Sequence, residues 1–271
     1  WRLRRVMSLA LRARAAPAEA LIDGCFAPPR QDAGHPLDYA VHGSPAGDVP
    51  PAKPLEHSHG TTTLAFVFQG GVLVAVDSRS TMGPEIASQS VSKVLVINDR
   101  LLGTMAGGAA DCAFWQRNLA TQVRLHELRE RRQVTVAAAS KMLSNTLYSY
   151  KGYGLSVYTM IAGFDVTGPA LYYVDSEGAR YKGSMFSVGS GSQYAISILD
   201  NEHRSDLTAE EAVELGRRAI YHATHRDSYS GGTVNVFLVT ADGWVKQPPV
   251  DCYEVHWDGA KEPGVGAPAT E

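Results

Sequence analysis

The spacing of hydrophobic positions changes abruptly at Gly60. Before this residue the chain is rich in proline and shows no sustained period. After it come two apolar, β-branched runs, TTTLAFVF (61–68) and VLVAVDS (72–78), on either side of Gly70-Gly71. Because glycine supplies the positive φ that tight hairpin turns require, the pattern predicts a β-hairpin. The folded domain is therefore predicted to begin directly after Gly60.

The remainder of the chain alternates between strand-like and helical spacing. Further strands are predicted at 94–98, 101–107, 155–164, 170–176, 233–240 and 243–247. Helices are predicted at 109–131, 134–150 and 193–199, and a fourth is predicted to run from Thr208 toward His225. Thr208 is followed three residues later by Glu211, which is the spacing of a capping box. This order predicts an α+β fold in which two antiparallel sheets stack face to face with helices on their outer faces.

Composition divides the 271 residues into three segments. Residues 1–60 are interpreted as a leader that is removed on maturation, 61–250 as the folded domain and 251–271 as a C-terminal tail. The Arg- and Ala-rich opening could imitate an organelle transit peptide, but the Pro- and Gly-rich stretch that follows favours a removable pro-segment. With 44% hydrophobic and 20% charged residues, the chain can bury a substantial core.

Charge and cysteine content exclude several classes of function. The net charge of −3 gives no basic surface for nucleic acid, and no apolar run approaches the length of a membrane span. Cys25, Cys112 and Cys252 lie far apart without a CxxC pair, which favours a reducing compartment. His57 and His59 form an HxH that could bind a metal, but a solvated linker explains this pair better. We expect neither a metal nor a cofactor.

Thr61 is the candidate nucleophile. A threonine hydroxyl needs a base, and the α-amine of an N-terminal threonine, which titrates near ~7.7–8.0, is one such base. That chemistry requires cleavage between Gly60 and Thr61. Gly60 gives the scissile peptide the freedom for Thr61 Oγ1 to attack its carbonyl. The alternative, a β-branched strand start with no further role, fits the TTT run taken alone.

Asp77 and Lys93 are candidates for the charged groups around this nucleophile. A tight turn at Gly70-Gly71 lays residues 77–80 beside residues 61–64, which returns Asp77 to the Thr61 end. A one-residue change in the loop would reverse every side chain, so the sequence leaves the direction of Asp77 open. Asp77 is costly to bury unpaired, and Lys93 is the nearest cation on a predicted strand. The alternative is that Asp77 and Lys93 are each an ordinary charged residue on the surface.

A series of motifs, in this order, carries a family resemblance: GTTTLAF, VAVDSRS, SVSKV, LLGTMAGGAADC, YKGYGLS, GPALYYVDSEG, FSVGSGS and RDSYSGG. They closely resemble the catalytic β type-5 subunits of the proteasome core particle, which are chymotrypsin-like. The resemblance covers Gly60 to about Lys246. It implies the four-layer αββα sandwich of N-terminal nucleophile hydrolases, and a threonine endopeptidase activated by its own cleavage after Gly60. A non-catalytic structural β subunit is the alternative.

The resemblance also implies roles for individual residues. Thr61 matches the nucleophile, and Asp77 and Lys93 match the pair that sets its protonation. Gly107 matches the residue whose backbone N–H stabilises the oxyanion. The network around the N-terminal amine is matched by Ser190, Asp227 and Ser230. The alternative interpretation is that GSGS and SYSGG are two turns without a catalytic role.

Substrate-binding positions are implied in the same way: Ser80, Thr81, Val91, Met105 and Ala109. Most are apolar, so cleavage after large hydrophobic residues is expected. Met82 and Pro84 depart from the usual family pattern where substrate should run as a β-strand, which puts the neighbouring pockets in doubt. HATHRDSYSGG and DGWVK favour the inducible, immune form over the constitutive one.

The expected partners follow from the resemblance. They are the other proteasome β subunits and the α rings, assembly chaperones and regulatory caps, with unfolded protein or peptide as substrate. The expected location is cytoplasmic and nuclear.

Overall fold

The computed structural model describes residues 60–259. The predicted leader, with Cys25, His57 and His59, lies outside the described residues. The helices are α1 Ala109–Glu130, α2 Val136–Ser149, α3 Ser192–Glu202, α4 Ala209–Arg226 and α5 Cys252–Gly259. The strands are β1 Thr63–Phe68, β2 Gly71–Val76, β3 Ser80–Met82, β4 Glu85–Ser88, β5 Val94–Asn98, β6 Leu101–Thr104, β7 Ala106–Gly107, β8 Val157–Asp165, β9 Gly168–Asp175, β10 Arg180–Gly183, β11 Met185–Val188, β12 Thr233–Thr240, β13 Gly243–Lys246 and β14 Val250–Asp251.

Two antiparallel sheets and one small hairpin contain these strands. The first sheet has the order β11-β1-β2-β12-β13, with β14 paired to β12. The second has the order β10-β9-β8-β6-β5, with β7 paired to β8. Strands β3 and β4 form the separate hairpin. The predicted α+β class with antiparallel sheets is confirmed.

Three hydrophobic clusters form the core. One is built from residues of both sheets, including Val74 and Leu102, and joins them. A second joins the first sheet to α3 and α4, and a third joins the second sheet to α1 and α2. Each sheet therefore packs on two sides, which explains why β2 is buried along its whole length.

The helices agree closely with the hydrophobic spacing. Arg131, directly after helix α1, adopts a left-handed conformation (φ 52°), and Thr135 caps α2. Thr208 and Glu211 form the predicted capping box, with both reciprocal hydrogen bonds. The hydrophobic spacing did not predict the β3–β4 hairpin, strands β10, β11 and β14, or helix α5, all of which are short. No helix in the described range is both long and apolar enough to cross a membrane.

The predicted turn position of the first hairpin is wrong by one residue. Phe68 pairs with Gly71, so the turn consists of Gln69 and Gly70. Gly71 itself lies in β2, where a side chain would collide with the backbone of β12 at Val239. Gly70 lies in the turn without the positive φ that the pattern predicted, and Gly71 is required for close strand packing.

Candidate active site

The β1–β2 hairpin brings Asp77 beside the start of β1. Asp77 N donates to Thr62 O at 3.1 Å, so Asp77 lies opposite Thr62. The carboxylate turns inward and is fully buried. Its Oδ1 accepts from Thr62 N at 2.9 Å, and its Oδ2 accepts from Gly231 N at 3.0 Å and Arg79 N at 3.2 Å. The carboxylate thus joins three segments of the chain around Thr61.

Lys93 pairs with this carboxylate as predicted. Its Nζ donates to Asp77 Oδ1 at 2.6 Å, and both side chains are almost completely buried. Burial lowers the pKa of Lys93, and the neighbouring Asp77 opposes that shift. Burial likewise raises the pKa of Asp77, which Lys93 and the backbone N–H groups oppose. A lysine with a lowered pKa can lose its proton more readily near neutral pH.

Thr61 lies directly against this pair. Thr61 Oγ1 donates to the Gly60 carbonyl oxygen at 2.6 Å, and Lys93 Nζ donates to the same oxygen at 3.3 Å. Gly60 N donates to Thr81 Oγ1 at 3.0 Å. The peptide between Gly60 and Thr61 is therefore held from both sides by side chains that the sequence analysis had selected.

A second network surrounds the Thr61 nitrogen. Thr61 N donates to Ser190 Oγ at 3.2 Å, and Ser190 Oγ donates to Asp227 Oδ2 at 2.6 Å. Ser230 Oγ donates to the same carboxylate oxygen at 2.6 Å and contacts Thr62 Oγ1 at 2.7 Å. Ser190, Asp227 and Ser230 thus form one connected group, as predicted.

Beside Thr61 a small pocket opens. Four of the five predicted substrate-binding residues line it: Ser80, Val91, Met105 and Ala109. Thr81 is not among its lining residues and contacts Gly60 instead. Gly107 lines the pocket from β7 with φ +95°, where a Cβ would approach Ser156 O to 2.6 Å. A glycine is therefore required at this position for both conformation and space.

Two contributors were not recognised in the sequence. Thr62 binds Asp77 through its backbone and Ser230 through its hydroxyl, yet it was interpreted only as part of a β-branched run. Arg79 was expected near Thr61, but not its side-chain bonds to Gln89 Oε1 at 3.1 Å and Ser228 O at 2.9 Å. Such contacts can be predicted only when the exact register of the paired strands is known, and no local sequence signal gives that register.

Within residues 60–259 no group of three or more His, Cys, Asp or Glu side chains could hold a metal ion. The HxH of the alternative hypothesis lies outside this range.

Comparison with known proteins identifies the class. The chain matches the family described as proteasome subunit over residues 57–239. It is 60% identical to proteasome subunit beta type-5 of Dictyostelium discoideum over 204 residues, 75% of each chain. It is 53% identical to the beta type-5 subunit of Gallus gallus over 253 residues, 92% of this chain and 97% of the relative. Proteasome subunit beta type-8 of Canis lupus familiaris is 56% identical over 200 residues, 74% of this chain and 72% of the relative.

The chain belongs to the proteasome subunit family, whose fold is that of the N-terminal nucleophile hydrolases. The type-5 relatives support a catalytic subunit of the proteasome core, a threonine peptidase that assembles with other proteasome subunits. The non-catalytic alternative does not fit these relatives. Because type-5 and type-8 relatives match at comparable identity, the comparison does not separate the constitutive from the inducible form.

Proposed function

We propose that the chain is a threonine endopeptidase subunit that cleaves after large hydrophobic residues and is activated by its own cleavage between Gly60 and Thr61. One observation carries the activation step. The Gly60 carbonyl oxygen accepts hydrogen bonds from both Thr61 Oγ1, at 2.6 Å, and Lys93 Nζ, at 3.3 Å. A nucleophile and a candidate proton carrier therefore meet at one scissile peptide.

Self-cleavage in this proposal is an acyl shift followed by hydrolysis. Thr61 Oγ1 attacks the Gly60 carbonyl carbon and gives its proton to Lys93, whose lowered pKa makes neutral amine accessible. The tetrahedral oxyanion is stabilised by Gly107 N–H. The Gly60–Thr61 C–N bond then breaks, Thr61 N takes the proton, and water hydrolyses the remaining ester. The products are a carboxylate at Gly60 and a free α-amine on Thr61.

The same atoms then cleave peptides. Thr61 Oγ1 attacks the substrate carbonyl, an acyl-enzyme forms with release of the amine product, and water restores the hydroxyl. The new α-amine is held by Ser190, whose hydroxyl is fixed by Asp227. Asp77 keeps Lys93 in place. Ser230 fixes Asp227 from the other side, so the amine keeps one orientation.

The lining of the pocket beside Thr61 supports a preference for apolar side chains. Val91, Met105 and Ala109 give it an apolar wall, and Ser80 contributes the polar edge. Thr81, whose hydroxyl binds Gly60 N in the uncut chain, is proposed to hold the corresponding substrate amide. Met82, in the β3–β4 hairpin, is 61% exposed and lies outside the residues that line the pocket.

The remaining parts of the proposal concern architecture and context. The three hydrophobic clusters support a four-layer αββα stack. The leader 1–60 is proposed to be removed, which leaves 61–250 as the catalytic domain and 251–271 as the tail. Chaperones, regulatory caps, protein substrates and a cytoplasmic and nuclear location remain proposals from the resemblance. The inducible form is proposed on HATHRDSYSGG and DGWVK alone.

Thr61→Ala tests this function directly. The variant should assemble into core particles but retain its leader and lose cleavage of a hydrophobic fluorogenic peptide. Thr61→Ser keeps a hydroxyl and should retain both activities in part. The N-terminal residue of the particle-bound chain, measured by mass spectrometry, reports maturation. Leader removal by Thr61→Ala in particles with no other active subunit would refute the assignment of the nucleophile.

A further inference from the structure

The junction between β6 and β7 contains a buried polar group that the reaction described above does not use. The β6–β8 ladder ends at the pair Gly103 and Ile161, and the β7–β8 ladder resumes at the pair Ala106 and Tyr158. The register is the same on both sides, so the gap is a local break and not a bulge. Met105, a residue of the pocket wall, lies inside this break.

Gln116 of α1 fills the break. Its side-chain Nε2 donates to Thr104 O at 2.6 Å and to Thr159 Oγ1 at 2.7 Å. Thr159 Oγ1 donates in turn to Thr104 O, and Met160 N donates to Thr104 Oγ1 at 3.0 Å. Side chains therefore supply the hydrogen bonds that the interrupted ladder no longer makes around Thr104.

The orientation of the Gln116 amide follows from this network. Thr104 O can only accept, so the NH₂ end must face it. The other end, Oε1, is buried without a hydrogen-bond partner among the described residues. It lies against Gly103, where any Cβ would overlap it. A buried, unsatisfied amide oxygen is unfavourable, so packing alone does not explain a glutamine here.

The consequence of the network reaches the active site. Met105 is the residue after Thr104, and its own N–H donates to Lys93 O at 2.9 Å. Gly107 follows two residues later and lines the same pocket. Fixing the Thr104 carbonyl therefore fixes the backbone that carries Met105 into the pocket wall, whereas Gly107 is held separately by its pairing with Val157 in the β7–β8 ladder.

We propose that Gln116 is a positioning residue that sets the substrate specificity of the Thr61 site by holding the Thr104–Met105 break. This inference rests on the proposed function, because it assumes that Met105 contacts the residue before the scissile bond. Gln116 does not touch substrate. Its loss should disturb the fit of a large side chain more than the chemistry at Thr61.

The test compares Gln116→Met with Gln122→Met in assembled core particles. Gln122 lies on the same helix and donates to Asn118 Oδ1 at 2.7 Å, so its substitution also removes one amide hydrogen bond. Two fluorogenic peptides differ only in Tyr or Ala before the scissile bond. Gln116→Met should raise KM for the Tyr peptide by roughly tenfold, the scale of a misfitted apolar pocket. The KM for the Ala peptide and both kcat values should change by less than about twofold, as should all values for Gln122→Met.

An equal rise in KM for both peptides would overturn the inference, and so would a KM for the Tyr peptide equal to that of Gln122→Met.

If Gln116→Met does not assemble, Thr159→Val is the deciding variant, because it removes one donor to Thr104 O and leaves Gln116 in place. Its KM shift for the Tyr peptide should be reversed in Thr159→Ser, and identical kinetics of these two variants would count against the proposal. A wild-type particle without preference for Tyr would refute the proposed specificity and this inference together. A wild-type preference that Gln116→Met leaves intact refutes the inference alone.

Discussion

Substituting Lys93 by methionine tests whether the buried pair is ionic. Met keeps the length of the side chain but leaves the Asp77 carboxylate buried with only backbone donors. Removing one partner of a buried ion pair costs about 3–5 kcal/mol, because the remaining charge stays uncompensated. In a chain of this size each 1 kcal/mol lost from the free energy of unfolding lowers Tm by about 2–4 °C, so Tm of Lys93→Met is expected to fall by roughly 6–20 °C.

The control is Lys151→Met, which removes the same group from an exposed pair. Lys151 Nζ lies 3.2 Å from Glu177, and both side chains are more than half exposed. Such a pair contributes about 0–1 kcal/mol, so the control should lose little stability. Urea unfolding and thermal melting of the full chain measure both variants, and peptide hydrolysis by assembled particles should be lost only in Lys93→Met.

The pH dependence of the stability of Lys93→Met tests the ionic pair more directly than stability at one pH. Burial already raises the folded-state pKa of Asp77 above its unfolded value near ~3.9, and loss of the opposing Lys93 cation raises this pKa further. Stability from a raised carboxyl pKa is present at low pH and is lost as pH rises toward the folded-state value. The deficit of Lys93→Met relative to wild type should therefore shrink as pH falls from 7 toward 5. A deficit that is equal to that of Lys151→Met, or independent of pH, would show that the pair is not ionic in the folded chain.

Three further predictions concern the rest of the site. Burial is the main cause of the lowered pKa of Lys93, and the charge of Arg79 adds to it, so Arg79→Met should move the ascending limb of the pH–rate profile of leader removal to higher pH. Arg79→Lys, which keeps the charge, should not move it. Gly107→Ala should reduce stability by about 1–3 kcal/mol, as measured by urea unfolding, and should abolish peptide cleavage. Gly152→Ala, at a similar φ of +89° in open space, should show only the smaller backbone cost. Ser190→Ala should lower kcat for peptide hydrolysis by about 10²-fold, with KM nearly unchanged; an unaltered kcat would exclude a role for its hydroxyl.

Element types could be predicted from the sequence because hydrophobic spacing is a local signal. Helix α1 was expected at 109–131 and lies at Ala109–Glu130, directly before the left-handed Arg131. The capping box of Thr208 is local as well, because it needs only two residues three apart. The proximity of Asp77 to Thr61 followed from the hairpin alone. For these features a few neighbouring residues contain all the information.

Side-chain directions were not predictable in the same way. The turn at Gln69 and Gly70 shifts the pairing by two residues from that expected for a Gly70-Gly71 turn, so Asp77 lies opposite Thr62 and not Leu64. Its carboxylate contacts Thr62 N and Lys93, a direction that the sequence left open. Gln116 was not recognised because its partners lie 12 and 43 residues away in the chain. Contacts between sheet and helix depend on packing that no local pattern specifies.

In the proposed activation, two hydrogen-bond networks at Thr61 act in an order that follows from chemistry. While Gly60 is attached, the Thr61 nitrogen is an amide and has no basicity, so the Ser190 and Asp227 side cannot supply a base. Lys93 already contacts the Gly60 carbonyl oxygen and is therefore the group available for the first cleavage. Ser190 already accepts from Thr61 N, so the amine released by that cleavage forms in a prepared site. In the proposed activation the leader keeps the enzyme latent by occupying the nitrogen that becomes the base, and the Ser190–Asp227 hydrogen bond that would hold the released amine is already formed.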